Sequence, residues 1–341
     1  HQAGDPVLII FTSGTTTEPR AVVHNAHSIA AMIDVSHLIA DLGADDIVMT
    51  DQLHSILPAL LAGARVVLPR IGAGAAALLN LLRRSRATHA FFVPSELHRL
   101  GAHCEQRGQA FPGTLRQIIL GSGPVDQPLL ARLRPFLPSA TRVRSVYGLT
   151  EMAPVACVEM TEKLAWQGEG DLVGVPLPGV RARISEDGEL YVGGDWLCGC
   201  YLGGESLTEV ATGDLARLDD NGRIVLLGRA KDMIIRGAYN IYPALYEGKI
   251  AEIPGVARCA MIGVWDERLG DERVVLVIEP TAEERNPIQL KRRVALALRA
   301  DALIDTLALP DEIVVMPLPE SGRTRKVDRT ALRRKLAVER E

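Results

Sequence analysis

The first half of the chain alternates continuous apolar runs of strand length with segments of helical periodicity. Val7–Phe11, Ala90–Pro94 and Gln117–Leu120 are the strand-length runs, and Ala75–Leu82 places its apolar side chains at helical spacing. Strands that are apolar throughout are buried on both faces, and the helices between them supply the crossovers. This alternation predicts an α/β fold with a parallel, doubly wound sheet.

After about residue 170 the pattern changes to apolar and polar residues in alternation, as in Arg181–Ile184 and Glu189–Val192. Asp220–Gly222 is a tight-turn signal that would join Leu215–Leu218 to Ile224–Leu227 as a hairpin. The region is therefore predicted to be β-rich and antiparallel, as a subdomain covering residues 171–229.

From about residue 230 helical and strand patterns are mixed again. A helix is predicted after Pro243, strands at Ala260–Val264 and Val274–Ile278, and a long helix at Leu290–Leu303. The sequence thus predicts three parts: an α/β core over 1–170, the β-rich subdomain over 171–229, and a small α+β domain over 230–341.

Charge and cysteine content argue against several classes of protein. A formal net charge of −4, from 38 basic and 42 acidic residues, gives no reason to expect a nucleic-acid partner. Of five cysteines only Cys198 and Cys200 lie close together, which predicts neither a disulfide framework nor a zinc site. No stretch is apolar enough to span a bilayer and no signal peptide opens the chain, so the expected location is cytoplasmic.

Two polar segments directly follow predicted strands. Thr12–Arg20 is a loop of hydroxyl groups and one glycine, which can aim N–H and O–H groups at phosphate oxygens. Ser145–Glu151 combines an aromatic ring that can stack on a nucleobase, a threonine, and a carboxylate suited to Mg²⁺. Taken singly, the first segment is equally typical of a polar strand end, and the second is more typical of a strand end with a core tyrosine and a solvated glutamate.

Two further segments carry charge. Ala211–Asp214 and Gly228–Asp232 supply a carboxylate that can accept both hydroxyls of a ribose and an arginine that can reach the same sugar. Gly322–Arg329 is a basic run near the end of the chain. Singly, these would be a surface hairpin and a solvated helix start.

In this order and at this spacing, the segments resemble the motifs of the adenylate-forming (AMP-binding) superfamily, which includes acyl-CoA and aryl-CoA ligases. Thr12–Arg20 resembles the family's T-S-G-[ST]-T-G-x-P-K-G loop, and Tyr147–Glu151 resembles Y-G-x-T-E. Thr212–Asp214 matches T-G-D, Val173–Val180 resembles V-G-x-P-x-P-G, and Gly228–Pro243 resembles the long segment that begins G-R-x-[KD]-D. The resemblance implies that the C-terminal α+β domain is mobile.

The resemblance also implies a site for ATP and Mg²⁺. Its cofactor-binding residues would be Thr12, Ser13, Gly14, Thr15, Thr16, Gly121, Ser122, Gly123, Tyr147, Gly148, Asp214 and Arg229. The Thr12–Thr16 loop would hold the β- and γ-phosphates, Tyr147 would lie against adenine, and Asp214 would bind the ribose. Thr150 would contact the α-phosphate, and Glu151 would be the metal ligand.

The catalytic residues implied are Lys326, Glu151 and Thr150, with Lys326 bridging the substrate carboxylate and the α-phosphate. Alignment on Val327–Arg329 favours Lys326 for this role, and Arg323 is the alternative. Lys231 occupies the position of the hinge about which the C-terminal domain would turn.

The implied function is an AMP-forming acid–thiol ligase similar to acyl-CoA synthetases. It would convert a carboxylic acid into an acyl-adenylate and pass the acyl group to CoA or to the phosphopantetheine of an acyl carrier protein. Two alternatives stay open: transfer to an amine or an internal hydroxyl, giving an amide or a β-lactone, and a non-catalytic nucleotide-binding relative. The identity of the acid and the oligomeric state, including a homodimer, also stay open.

The chain departs from the family pattern near its start. Only eleven residues precede Thr12, so the N-terminal part of the usual large domain is expected to be lacking. Thr17 and Ala21 stand where glycine is usual, and a Cβ at Thr17 restricts the φ angle of the loop. His54 is the candidate for the family's gate residue. The acid pocket is expected along Phe92–Ser95, Gly121–Pro124 and Met152–Val155, whose apolar character favours an aryl or fatty acid over an α-amino acid.

Overall fold

A computed structural model of the chain describes residues 2–11, 20–123, 125–236, 239–266, 271–300, 304–321 and 326–338. The α-helices in these residues are α1 (Ala26–Ile39), α2 (Leu53–Leu61), α3 (Ala75–Ser85), α4 (Pro94–Arg107), α5 (Gln127–Leu133), α6 (Met160–Ala165), α7 (Ala244–Ala251), α8 (Pro287–Ala300) and α9 (Arg329–Val338). The β-strands are β1 (Pro6–Phe11), β2 (Ala21–Asn25), β3 (Ile47–Met49), β4 (Arg65–Val67), β5 (His89–Phe92), β6 (Gln117–Leu120), β7 (Arg142–Leu149), β8 (Met152–Glu159), β9 (Asp171–Pro176), β10 (Arg181–Ile184), β11 (Glu189–Gly193), β12 (Cys200–Tyr201), β13 (Val210–Leu218), β14 (Ile224–Arg229), β15 (Ile234–Arg236), β16 (Tyr239–Ile241), β17 (Val256–Asp266), β18 (Asp271–Pro280), β19 (Glu312–Val315), β20 (Glu320–Ser321) and β21 (Lys326–Val327).

In the described part of the chain, eleven strands form one mixed sheet in the order β10-β11-β13-β14-β9-β8-β7-β6-β5-β3-β4. Strands β4, β3, β5, β6 and β7 run parallel to one another. Strand β8 is antiparallel to both β7 and β9. The predicted parallel sheet is confirmed for the strands from β3 to β7. The expectation that Val7–Phe11 is a buried strand of this sheet was wrong, because β1 pairs antiparallel with β2 in a separate sheet and its Val7, Ile9 and Phe11 side chains are exposed. The strands of residues 171–229 continue this sheet through hydrogen-bonded neighbours.

Helices cover both faces of the parallel part, as a doubly wound sheet requires. Successive residues of a strand point to opposite faces, and Val48 and Met49 are successive residues of β3. Met49 packs in the cluster that contains Leu78 of α3 and Leu97 of α4, whereas Val48 packs with Ala59 of α2. The apolar runs of the parallel strands are therefore continuous because these strands have a helix layer on either side.

A small separate sheet precedes the first helix and has the order β1-β2-β12. Both β1 and β12 pair antiparallel with β2, and Tyr201 of β12 lies opposite Val22. The hairpin of β1 and β2 thus flanks the segment 12–19. Asn25 then caps α1, since its side chain accepts a hydrogen bond from the backbone N–H of Ser28 at 2.8 Å.

The chain divides into two compact units. The larger contains the described residues of 2–11, 20–212 and 217–225, and the smaller those of 213–216 and 226–338. In the smaller unit β18 lies between β17 and β19, antiparallel to the first and parallel to the second. Met261 of β17 packs with Ile250 of α7 and Leu290 of α8, while Ile262 packs with Leu332 of α9. The smaller unit therefore buries both faces of its own sheet.

The predicted elements of this unit are confirmed, with shifted ends. The helix after Pro243 is α7, and the predicted strands lie within β17 and β18. The helix expected over Leu290–Leu303 begins at Pro287 and is described as far as Ala300, with 301–303 outside the described residues. None of the described helices has the length and apolarity that a bilayer crossing needs.

Candidate functional site

The Thr150–Glu151 turn joins β7 and β8, since Leu149 pairs with Met152 across the hairpin. Glu151 is buried, with 9% of its surface exposed, and its carboxylate Oε1 accepts a hydrogen bond from Tyr201 Oη at 2.7 Å. The backbone N–H of Cys198 donates to the Glu151 carbonyl at 2.8 Å. The predicted metal ligand is thus held at both its backbone and its side chain.

His24 of β2 holds the other residue of the turn. Its Nε2 lies 2.9 Å from the carbonyl oxygen of Thr150. A carbonyl only accepts hydrogen bonds, so Nε2 carries the proton in this contact. Burial lowers the pKa of His24, opposed by the hydrogen bond to Thr150 and by the charge of Glu151. A neutral ring with its hydrogen on Nε2 is the form that this geometry holds near neutral pH.

Arg20 lies against Tyr201, with its guanidinium carbon 3.5 Å from the ring centroid. Such a cation–π contact orients the ring and keeps a positive charge beside it. The pKa of Tyr201 is raised, chiefly by burial and then by the hydrogen bond to Glu151. Tyr201 therefore stays protonated and donates to the carboxylate.

The predicted adenine wall lies at the carboxyl ends of neighbouring parallel strands, where open α/β sheets bind ligands. Gly121, Ser122 and Gly123 follow β6, and Tyr147 lies on β7, which pairs with β6. Ser122 adopts a left-handed backbone with φ of 64°. A Cβ at Gly148 would lie 3.0 Å from the Cα of Ala153, so the hairpin beside Tyr147 closes this tightly only with glycine there.

The expected acid-pocket segments are only partly open to solvent. Phe92, Met152 and Val155 are at most 1% exposed and belong to the interior. Val93–Ser95 and Ala153 are partly exposed. The residues of these segments that offer surface to a ligand are small or apolar.

His54 lies in α2 and meets Phe91 edge to face, with ring centroids 5.0 Å apart and an interplanar angle of 80°. Burial of the imidazole lowers the pKa of His54 to about 4. His54 is therefore neutral at pH 7 and acts there as an aromatic packing group.

The lowered pKa of His54 predicts a stability loss in acid. Both folded and unfolded His54 are neutral well above pH 6.5. As the pH falls from 6.5 towards about 4, only the unfolded state takes up the proton, so the free energy of unfolding decreases. Relative to His54→Leu, the wild type should lose ~2–3 kcal/mol between pH 7.5 and 4.5, measured by urea unfolding. His27→Leu, at an exposed histidine of α1, is the control; an equal pH effect in both variants would contradict the assignment.

In the smaller unit Asp214, Arg229 and Lys326 form a second group of predicted site residues. Asp214 is 7% exposed, and its Oδ1 lies 2.8 Å from Arg229 Nε. Gly213 has φ of 72°, and a Cβ there would lie 3.4 Å from Arg229 Nη1. The left-handed backbone of Gly213 therefore explains the glycine of the T-G-D segment.

Lys326 begins β21, which pairs with β20 through Ser321. The pKa of Lys326 is lowered, chiefly by desolvation of its ammonium group, although the residue as a whole is exposed. The charges of Arg229 and Lys231 lower it further, and that of Asp214 raises it. The predicted catalytic lysine is thus within electrostatic reach of Asp214, of Arg229 and of the predicted hinge lysine.

Several predicted residues lie outside the described part of the chain. They are the phosphate-loop residues Thr12, Ser13, Gly14, Thr15 and Thr16, the substituted Thr17, the pocket residue Pro124, and Arg323. The Glu151 group belongs to the larger unit and the Asp214 group to the smaller.

Sequence reasoning missed His24 and Tyr201. A histidine next to Val22 and Val23 in a strand was a usable signal, because a buried polar side chain needs a partner. Tyr201 gave no such signal. Its partner Glu151 is 50 residues away, and a tyrosine in a short strand is ordinary.

Sequence comparison finds relatives over most of the chain. The family described as AMP-binding enzyme matches residues 1–202. A feruloyl-CoA synthase from an Amycolatopsis species is 32% identical over 80% of this chain and 60% of its own length. An indoleacetate–CoA ligase from Aromatoleum aromaticum is 30% identical over 95% of this chain and 66% of its own length. The chain thus spans about three fifths of the length of the first of these relatives.

Solved structures share the fold. The o-succinylbenzoate CoA synthetase of Bacillus subtilis, solved with its acyl-adenylate intermediate, superposes with a TM-score of 0.81 at 24% identity, over 97% of this chain and 69% of that one. An amide bond synthetase from Marinactinospora thermotolerans gives a TM-score of 0.79 at 25% identity, over 96% and 68%.

Proposed function

This chain belongs to the family of AMP-binding enzymes, and from that premise we propose that it activates a carboxylic acid with ATP and transfers the acyl group to a thiol. One observation carries the proposal furthest. Arg229 pairs with the buried Asp214 at 2.8 Å, and the charges of Arg229 and Lys231 both act on Lys326. Neighbouring cations repel one another, and a polyanion such as a nucleotide relieves that repulsion.

Each residue of this group has a separate proposed role. Asp214 accepts hydrogen bonds from the ribose hydroxyls, and Arg229 holds the carboxylate of Asp214 in place for them. Lys326 neutralises the substrate carboxylate and the α-phosphate as they meet, since two anions approach each other only when their charge is compensated. Lys231 lies in the turn between β14 and β15 and is proposed as the hinge residue.

In the larger unit Thr150 contacts the α-phosphate and Glu151 holds Mg²⁺. No group of three or more His, Cys, Asp or Glu side chains in the described residues could cage a metal ion. Mg²⁺ commonly binds through one or two carboxylates together with substrate phosphates and water, and the lone buried Glu151 fits that mode. When bound with ATP, the ion supplies charge neutralisation of the phosphates.

We propose an aryl carboxylic acid as the substrate and CoA as the thiol. The relatives named above are a feruloyl-CoA synthase and an indoleacetate–CoA ligase, and the partly exposed pocket residues are small or apolar. The phosphopantetheine of an acyl carrier protein offers the same thiol chemistry. Transfer to an amine is the second candidate, favoured by the likeness to an amide bond synthetase.

Exchange of pyrophosphate into ATP tests the adenylation step. We expect exchange with a cinnamic or arylacetic acid and none with leucine, because no charged side chain among the exposed pocket residues would pair an ammonium group. Omitting CoA should leave exchange intact and abolish thioester formation. Exchange that no acid of a broad panel supports would contradict the proposal.

Glu151→Gln should raise the Mg²⁺ concentration for half-maximal exchange by at least ~10-fold, because an amide oxygen replaces a charged ligand. Titration of Mg²⁺ at fixed ATP measures this shift. Glu159→Gln is the matched control, since Glu159 lies at the other end of the same hairpin and pairs with Arg142 and Arg144. Equal shifts in the two variants would refute the assignment of Glu151 as metal ligand.

A further inference from the structure

The small sheet of β1, β2 and β12 contacts both residues of the Thr150–Glu151 turn. Its hairpin flanks the segment 12–19, and its strands contact the Thr150–Glu151 turn. Tyr201 lies opposite Val22, and His24 is two residues along the same strand. Residues opposite each other, and residues two apart, share one face of a sheet. His24 and Tyr201 therefore leave the sheet on the same face, and both reach the turn.

Among the described residues, Tyr201 is the one whose side chain hydrogen-bonds to the Glu151 carboxylate. Its hydroxyl donates to Oε1 at 2.7 Å. A carboxylate has about four lone-pair directions, so this bond leaves capacity for a metal ion. A buried carboxylate with a fixed donor also keeps a single orientation, which a flexible glutamate in solvent does not.

Arg20 fixes the tyrosine in turn. It is the first described residue after the segment 12–19, and it covers the Tyr201 ring at 3.5 Å. A guanidinium stacked on a ring restrains both the tilt and the position of that ring. The chain Arg20–Tyr201–Glu151 therefore runs from the end of the predicted phosphate loop to the predicted metal ligand.

We propose that Tyr201 is a positioning residue for Glu151, orienting its carboxylate towards the metal ion of the bound nucleotide, with Arg20 setting the plane of the tyrosine ring. This inference rests on the proposed function, because it needs Glu151 to be the metal ligand. Residues that orient a metal ligand by hydrogen bonding commonly change metal affinity or activity by about 10–100-fold when altered. The expected defect is thus in the use of Mg²⁺ rather than in the binding of the acid.

Tyr201→Phe is the sharpest test, since it removes the hydroxyl and keeps the ring under Arg20. We expect the Mg²⁺ concentration for half-maximal exchange to rise roughly 10-fold. The rate at saturating Mg²⁺ and the KM for the acid should stay within about two-fold of wild type. Binding of Mn²⁺ to the enzyme with a non-hydrolysable ATP analogue, followed by electron paramagnetic resonance, should weaken by a similar factor.

Tyr191→Phe is the matched control. Tyr191 of β11 also lies under an arginine, with Arg183 at 4.0 Å from its ring centroid. Its Mg²⁺ dependence and Mn²⁺ affinity should equal those of the wild type. Thermal melts of both variants check that each remains folded.

The outcomes separate this inference from the proposed function. If Glu151→Gln raises the Mg²⁺ requirement and Tyr201→Phe does not, Tyr201 has no positioning role and the metal assignment stands. If Tyr201→Phe lowers the rate equally at all Mg²⁺ concentrations and leaves Mn²⁺ affinity unchanged, its role is structural and the inference is overturned. If neither variant changes Mg²⁺ dependence, the assignment of Glu151 fails and this inference falls with it.

Discussion

Replacing Lys326 by alanine is expected to slow acid-dependent pyrophosphate exchange about 10²–10³-fold, the loss typical when a group that stabilises transition-state charge is removed. The substrate carboxylate and the α-phosphate are both anionic, so their approach needs a nearby cation. Lys326 is a lysine whose pKa is shifted by the charges of Asp214 and Arg229. Transfer of the acyl group from a supplied acyl-adenylate to CoA should be affected far less, because no pyrophosphate bond is broken in that step. Comparing the two half-reactions measures the difference.

Two further variants make this test specific. Lys335→Ala removes an exposed lysine of α9 and should leave both half-reactions unchanged. Lys326→Arg should recover only part of the exchange rate, since a planar guanidinium cannot reproduce a compact ammonium. If Lys326→Ala exchanges at the wild-type rate while Arg323→Ala does not, the alignment on Val327–Arg329 is wrong and Arg323 carries the role.

Arg329→Met is expected to destabilise the smaller unit by ~3 kcal/mol, the lower end of the effect of removing one partner from a buried ion pair, because the side chains of Arg329 and Glu247 are each 17% exposed. Arg329 Nη2 lies 2.6 Å from Glu247 Oε2, its Nη1 donates to the Met261 carbonyl at 2.8 Å, and its Nε lies 3.3 Å from Asp232. Burial disfavours the charge of Arg329, and the carboxylates of Glu247 and Asp232 compensate by raising its pKa. Without the guanidinium, the carboxylates of Glu247 and Asp232 would stay partly buried without this compensating charge, which destabilises the folded state.

Hydrogen exchange followed by mass spectrometry measures this loss on peptides from β17 and β18. Arg258→Met is the matched control, because Arg258 lies on β17 and pairs with Glu279 and Glu320 at the surface, with 36% of its side chain exposed. Exposed pairs contribute ~0–1 kcal/mol, so protection should change little in this variant. Similar losses in the two variants would show that burial does not distinguish these pairs.

Local patterns predicted the elements that depend on local chemistry. The runs at β5 and β6 were readable because both faces of those strands are buried, and α3 because its apolar side chains repeat at helical spacing. The turn residues Asp220–Gly222 predicted the tight turn that connects β13 to β14. The neighbours of β9 in the main sheet could not be predicted from the sequence. Periodicity indicates which faces of a strand are buried, but it does not indicate which strand it pairs with.

The residues of the candidate site were likewise predictable only where their role depends on a short local motif. Glu151 and Asp214 could be named from short motifs, since each role needs one residue type at a fixed place. The contact between Tyr201 and Glu151 spans 50 residues, and that between His24 and Thr150 spans 126. Only the pairing of β12 with β2 brings these residues together, and no short-range pattern encodes it.

Because the smaller unit covers both faces of its three-stranded sheet with its own helices, it has a hydrophobic interior of its own. A segment with its own interior can lose and regain its structure cooperatively by itself. A single melting temperature would then describe neither unit correctly, and a variant in one of them should be judged by the local transition it shifts. Lys326 on β21 would accordingly melt with the smaller unit, whereas Asp214 on β13 and Arg229 on β14 also depend on the main sheet that carries Glu151.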